Sequence, residues 1–200
     1  MARDIGPKDK LSRREGFDLF GKGAKLTRIN VLPGVHGPKG GPRNVSQFGR
    51  QLREKQKVKR LYGIKEKQFK RYIDEAMKTR TNTVDALFSR LEKRLDNVVY
   101  RLGFAKTRPQ ARQLVGHRHV LVNNKRLNIS SYQVGKGEMI TLNAKAMEIP
   151  SVKKELEQKN KKVPAWLKRK AGAGQMISEP TFADVTEPVS AQDIIEFYSR

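Results

Sequence analysis

Apolar residues in the first 32 positions come singly, as Phe17, Leu19, Phe20, Ile29 and Val31 among polar and basic neighbours, which predicts loops and short turns rather than a regular domain. Pro33 to Arg43 holds Pro33, Gly34, Gly37, Pro38, Gly40, Gly41 and Pro42, so it cannot be the interior of a helix or strand. Such a loop either lets backbone amides approach phosphates closely or is an ordinary surface connection. Helical periodicity begins after it. Ser46 is placed to cap a helix running to Tyr62, with Gly63 as its stop, and Phe69, Tyr72, Ile73, Ala76 and Met77 stripe a second helix from about Lys65 to Lys78. Asn82 or Thr83 opens a third helical stretch through Leu87 and Leu91, which either runs on unbroken or kinks near Asp96.

Leu95, Val98, Val99 and Leu102 continue at helical spacing and predict a core-facing stripe, whereas Arg90, Arg94, Asn97 and Arg101 fall on another side of that helix. Gly103 ends it. Thr107-Arg-Pro-Gln110 reads as a capping box for a further helix, whose apolar side is Ala111, Leu114 and Val115, whose Arg108 and Arg112 lie one turn apart elsewhere, and which gives out at Gly116. A strand over 119–123 follows, Val120 and Val122 alternating with His119, Leu121 and Asn123, and Asn123-Asn124 predicts a tight turn. Further strands are expected at Leu127 to Ile129 and Met139 to Asn143 around the turn Gly135-Lys-Gly137, with this domain ending near Ser151.

Charge changes the picture most. The chain carries 43 Lys or Arg against 20 Asp or Glu, a formal +23, with only 36% hydrophobic residues. Much of its length must therefore be solvated or held against a polyanion such as RNA, whose counterions are released as Lys and Arg neutralise phosphates. Between Lys39 and Arg80 there are 14 basic and 4 acidic residues, too few acids for the cations to be merely a self-paired helix surface. Residues 153–170 are again basic and surround Trp166, read as a docking anchor in preference to a base-stacking platform. Ala171-Gly-Ala-Gly174 reads as a flexible break. Beyond it the sign reverses: Glu179, Asp184, Glu187, Asp193 and Glu196 stand against Arg200 alone. Ile194, Ile195, Phe197 and Tyr198 make the last segment an amphipathic helix, capped by Ser190 and expected to pack on the basic N-terminal helices.

There is no cysteine, which excludes disulfides and thiolate zinc sites. The three histidines, His36, His117 and His119, have no carboxylate partner at ligand spacing, so no metal or cofactor is expected. No apolar run is long enough to cross a bilayer, the opening MARDIGPKD has no segment of signal-peptide length, and neither a membrane partner nor export is expected.

The stretch RLDNVVYRLGFAKTRPQARQLVGHRHVLVNN from Arg94 to Asn124 resembles the core of the fourth protein of the bacterial small ribosomal subunit, the family after which the S-four RNA-binding domain is named. The opening MARDIGPKDKLSRREG, the loop LPGVHGPKG, the run QLREKQKVKRLYGIKEKQF and the ending IIEFYSR resemble that family in the same order, so the likeness covers nearly the whole chain. It implies an α+β fold: a basic, helical N-terminal domain over 1–90, an S-four-type (αL-motif) domain of two helices on a short, mainly antiparallel sheet over 91–151, and a basic connector with an acidic tail over 152–200 whose terminal helix returns to the N-terminal domain. Many members carry an N-terminal zinc-binding cysteine cluster, from which this sequence departs. The resemblance also implies a structural role in the ribosome of the cytoplasm, or of an organelle. It further implies early binding to a multi-helix junction in the 5′ part of small-subunit rRNA, contact with the fifth small-subunit protein at an interface affecting decoding accuracy, and a place beside the incoming mRNA.

The expected RNA-facing residues are Arg94, Arg101, Lys106, Thr107, Arg108, Arg112, His117, Arg118, Asn123 and Lys125, with Lys55, Lys57 and Arg60 from the helical domain. Arginine suits this task because its planar fork grips phosphate and stacks on bases. An RNA-modifying enzyme carrying the domain as a handle is the alternative of another class. The 50 residues after Pro150 are too few and too charged for a catalytic domain, and no phosphate loop, Ser/His/Asp order or paired carboxylates accompany them. A stand-alone S-four RNA-binding factor would account for 90–150 but not for the likeness on both flanks.

Overall fold

A computed structural model of the chain describes residues 6–23, 26–39, 45–158 and 162–199. In chain order its helices and strands are α1 (Lys8–Glu15), α2 (Gln47–Leu61), α3 (Glu66–Met77), α4 (Thr83–Glu92), α5 (Leu95–Arg101), α6 (Arg108–Gly116), β1 (Val120–Val122), β2 (Lys125–Leu127) and β3 (Met139–Leu142). They continue with α7 (Ala144–Glu148), α8 (Pro150–Glu157), β4 (Leu167–Lys170), β5 (Ala173–Met176) and, after a 3-10 turn at Phe182–Asp184, α9 (Ala191–Tyr198). These elements form two compact units, one from Met1–Lys78 and Glu187–Arg200, the other from Thr79–Thr186.

The first unit is helical. Ser46 accepts a hydrogen bond from the Gly49 amide at 3.2 Å and so starts α2, as its place in the sequence predicts. Gly63, with φ +61°, lets the chain leave α2 while the Gly63 and Ile64 amides donate to the carbonyls of Arg60 and Lys59. Helix α9 packs against α2, burying Ala191 and Ile194, and Phe197 stacks on Phe48 with ring centres 5.5 Å apart. Ser190 stands at the start of α9 but its side chain caps nothing; its backbone amide instead donates to Glu54 at 3.1 Å. Helix α1 lies within the segment for which only loops and turns are expected, because its sequence KDKLSRRE has one apolar residue and no stripe to signal it.

In the second unit, helices cover one face of a five-stranded antiparallel sheet of order β2-β1-β3-β5-β4. The core joins Leu95, Val98, Val99 and Leu102 of α5 to Leu114 and Val115 of α6 and to Val120, Val122, Ile140 and Leu142 of the sheet. The break between α4 and α5 falls at Arg94, which is extended and bridges to Gln133, while the Leu95 amide donates to the Tyr132 carbonyl at 2.8 Å. Gly103, with φ +75°, ends α5. Asn123 and Asn124 both take positive φ, +48° and +64°, and make the two-residue turn that pairs Val122 with Lys125.

Three expectations need correction. The second hairpin strand is Lys125–Leu127, not Leu127 to Ile129, because a two-residue turn brings the partner strand back at once. The domain does not end near Ser151, and 152–186 is not a connector: Val152, Trp166, Leu167 and Met176 enter the same core, and β4 and β5 extend the sheet from β3. Ala171-Gly-Ala-Gly174 is accordingly a hairpin turn running into β5, where Gly174 serves close packing. A Cβ at Gly174 would stand 2.5 Å from both Leu102 methyl groups. Among the described residues, no helix is long and apolar enough to cross a membrane.

Gly174→Ala therefore overpacks a filled core and is expected to cost about 1–3 kcal/mol. Urea unfolding reads this directly, and a midpoint equal to the parent's would show that Leu102 can yield.

Candidate nucleic-acid interface

The polar side of α5 turns inward. Glu92, fully buried, accepts from Arg101 through Nε at 2.9 Å and Nη2 at 2.8 Å, and from the Asn97 side-chain amide at 2.9 Å. Asp96, 3% exposed, accepts from Arg94 through Nε at 3.1 Å and Nη2 at 2.9 Å, and from Arg112 through Nε at 2.8 Å and Nη2 at 2.5 Å. Arg108 donates to Asn97 Oδ1 at 2.8 Å and lies over the Tyr100 ring at 4.5 Å. Buried charge persists only where it is paired and hydrogen-bonded, and here carboxylate and guanidinium supply each other.

Arg94 and Arg101 are consequently interior struts, 3% and 8% exposed, not residues of an open RNA face. Their helical spacing separates them from the apolar stripe but does not distinguish a solvated face from one closed by carboxylates. Arg108 and Arg112 remain half-buried, braced from beneath by Asn97 and Asp96.

Helix α6 begins as the capping box predicts, with one change of partner. Thr107 Oγ1 accepts from the Gln110 amide at 3.4 Å, but the Gln110 side chain accepts from the Lys106 amide at 3.0 Å, one residue earlier than the box requires. Lys106 is exposed beside this turn. At the other end of α6, His117 and Arg118 are exposed, the His117 and His119 rings are 6.1 Å apart, and Arg118 takes φ +60°. The Arg118 and His119 amides donate to the carbonyls of Val115 and Leu114, so Arg118 fills the left-handed place that glycine usually takes after a helix. Asn123 is exposed on the hairpin, its Oδ1 accepting from the Met139 amide at 3.0 Å, and Lys125 is exposed on the edge strand β2. The structure thus keeps Lys106, His117, Arg118, Asn123 and Lys125 open to solvent and sets Thr107, Arg108 and Arg112 half-buried.

The three candidates of the helical unit are also engaged. Lys55, 6% exposed, pairs with Glu66 at 2.8 Å and lies 4.4 Å from the centre of the Phe197 ring, so it belongs to the packing of α9 and not to an open face. Lys57 pairs with Glu54 at 3.3 Å and Arg60 with the buried carboxylate of Glu15. Burial raises the Glu15 carboxyl above its ordinary value, an effect that Arg60 and Arg53 only partly offset. At Glu66 partial burial also pushes upward, but hydrogen bonds from Lys55, Tyr198 and Lys59 outweigh it and bring the carboxyl to about 2. Burial first, and then its hydrogen bond to Glu66, raises the Tyr198 hydroxyl.

Arg50, Lys65, Lys67 and Lys70 are instead among the exposed cations of this unit. Three of them are legible as positions of α3 or its cap that avoid the stripe of Phe69, Tyr72, Ile73 and Ala76. Gly40, Gly41, Pro42 and Arg43 of the glycine-rich loop, Lys159 and Lys161 of the basic run, the opening MARDI and Arg200 lie outside the described residues. Without cysteine the chain does not fit the zinc site of some members of the resembled family, and among the described residues no group of three or more His, Asp or Glu could hold a metal.

Comparison with known proteins places this geometry. The family described as "Ribosomal protein S4/S9 N-terminal domain" matches residues 3–92, and the "S4 domain" matches 93–140. Proteins called small ribosomal subunit protein uS4 are similar from end to end. That of Aquifex aeolicus (strain VF5) is 47% identical over 212 residues, that of Polaromonas naphthalenivorans (strain CJ2) 46% over 208, and that of Sulfurihydrogenibium sp. (strain YO3AOP1) 45% over 203, each comparison covering 100% of both chains.

Arg101→Ala removes both guanidinium hydrogen bonds from the fully buried Glu92 carboxylate, and is expected to destabilise the second unit by about 3–5 kcal/mol. Urea unfolding followed by circular dichroism checks this, a change below ~1 kcal/mol counting against an interior role. A second expectation concerns pH. Because the folded Glu66 carboxyl lies near 2, below its ordinary 4.5, the unfolded chain binds more protons between those values, and stability contributed by this group is lost as pH falls through that window. Unfolding curves from pH 5 to pH 2 should show a smaller loss for Glu66→Gln than for the parent; parallel losses would assign the acid sensitivity elsewhere.

Proposed function

The chain belongs to the small ribosomal subunit protein uS4 family and is a structural protein of the small ribosomal subunit, and we propose that it binds small-subunit rRNA through the basic residues on and flanking α6 and on the β1-β2 hairpin. The observation that carries this reading is Arg118. A left-handed conformation costs a residue with a Cβ about 1–2 kcal/mol, and glycine would remove that cost, yet an exposed arginine occupies the position. Strain of this kind is retained where the side chain has work to do.

Lys106, Arg108, Arg112, His117, Arg118 and Lys125 contribute donors suited to phosphates and 2′-hydroxyls, and Asp96 with Asn97 fixes the rise of two of them from α6. Recognition of this sort follows the shape of folded RNA more than base edges, because A-form helices hide their major groove. The finer role is that of the family resemblance: early binding to a multi-helix junction in the 5′ part of the rRNA that nucleates subunit assembly, contact with the fifth small-subunit protein affecting decoding accuracy, and a position beside incoming mRNA. A ribosomal location follows from the same membership.

Binding of the purified protein to protein-free small-subunit rRNA, measured by filter retention against salt, is expected to fall with a slope of log affinity on log salt of about −3 or steeper. Arg118→Gly separates function from fold: stability should hold or rise by about 1 kcal/mol while rRNA affinity drops several-fold. Parental affinity with raised stability would remove Arg118 from the interface.

A further inference from the structure

Among the described residues of the second unit, no helix buries the second face of its sheet. Strand register places Arg126, Leu121, Thr141, Ala173 and Lys170 in a row across all five strands, and Met139, Gln175 and Lys168 in the next row, while their neighbours Val120, Val122, Ile140, Leu142, Gly174 and Met176 are buried on the other side. Leu121, Thr141 and Ala173 are half-buried, Met139 is 48% exposed, and Arg126, Lys168, Lys170 and Gln175 are exposed. None of these eight side chains is acidic. Among the described residues Arg126, Lys168 and Lys170 have no ion-pair partner, in contrast to the arginines that Glu92 and Asp96 hold.

Cations thus border the face at both edges. Four strand spacings separate the Arg126 strand from the Lys170 strand, about 19 Å, and Lys168 and Lys170 follow each other at about 7 Å along β4. The strip between is made of small or flexible side chains with no aromatic ring, which disfavours base stacking and allows a backbone to lie close. We propose that this outer face is a second RNA-contacting surface, one that receives the sugar-phosphate backbone of an rRNA helix with phosphates engaged by Arg126 at one edge and by Lys168 and Lys170 at the other. It rests on the reading of the chain as an rRNA binder but uses residues separate from α6 and the hairpin tip. A polyanion is the occupant that unpaired cations on an acid-free face complement; an acidic protein and simple protection of exposed strand edges are the rivals.

The test is the triple variant Arg126→Gln/Lys168→Gln/Lys170→Gln, with full-length protein and protein-free small-subunit rRNA. The slope of log affinity on log salt should become shallower by about 2, since each phosphate contact contributes about 0.7–0.9. Met139→Glu, which puts an acid in the centre, should weaken binding at least tenfold at 0.1 M salt. Size-exclusion chromatography and urea unfolding accompany each protein; if the triple variant does not fold, Lys168→Gln and Lys170→Gln singly should each lower the slope by one contact. A parental slope in folded variants overturns the proposal, and does so equally if they self-associate, which would assign the cations to edge protection. If the parent itself fails to bind rRNA, the ribosomal-RNA reading fails as a whole. If the parent binds and Arg118→Gly weakens it while the sheet variants do not, this second surface alone is refuted.

Discussion

Glu92 and Asp96 stand at the joint between α4 and α5, and the second unit depends on what they hold. Arg101 and Asn97 converge on the first, Arg94 and Arg112 on the second, and Arg108 reaches the same cluster through Asn97. These bonds tie the helix break to the start of α5, bring α6 alongside, and aim two of its arginines, while the adjoining backbone is pinned by Leu95 to Tyr132 and by Val134 to Lys93. A buried ion pair is a poor source of net stability, because desolvation offsets most of the attraction. What it supplies here is position. Any other packing of α5 against α6 would strand a charge inside the protein, and that penalty restricts the alternatives.

The same logic explains how a chain of net charge +23 folds at all. Its scarce acids are concentrated at joints: Glu15 beneath Arg53 and Arg60, Glu66 between Lys55, Lys59 and Tyr198, Glu54 against Lys57 and the start of α9, Glu92 and Asp96 in the second unit. Carboxylates used as struts leave the outer cations uncompensated. The free protein consequently carries a self-repulsion that a polyanionic partner relieves, and binding strength is coupled to ionic strength by construction.

Much of this was legible in the sequence where a local rule has one meaning. Helices with a side-chain cap or an apolar stripe, such as α2, α3 and α6, can be read from Ser46, Phe69 and Thr107, and the hairpin from Asn123-Asn124. Elements whose stability comes from elsewhere escaped: β4 and β5 are basic or glycine-rich segments that become strands because β3 offers a free edge and Trp166 with Met176 fills the core. Which of the candidate cations stand open to solvent was not legible residue by residue. Lys106, Arg118 and Lys125 are exposed, yet Arg94, Arg101 and Lys55 are interior, since a cation's spacing says nothing of the carboxylate that will meet it.

That distinction sorts the basic residues into two physical classes. Arg94 and Arg101 are neutralised by Asp96 and Glu92 and become part of the scaffold; cations on turns, helix ends and strand edges, such as Lys106, Arg118, Arg126 and Lys170, are exposed. The first class is rigid and fixes geometry, and the second faces solvent from that frame. Among the outer cations, Arg112 and Arg108 stand at positions already set by Asp96 and Asn97, so less ordering cost falls on a binding step that uses them than on one made by a flexible basic tail. Arg94 and Arg101, closed off from solvent, still bear on where Arg112 and Arg108 stand, because they share Asp96 with the first and the Glu92–Asn97 cluster with the second.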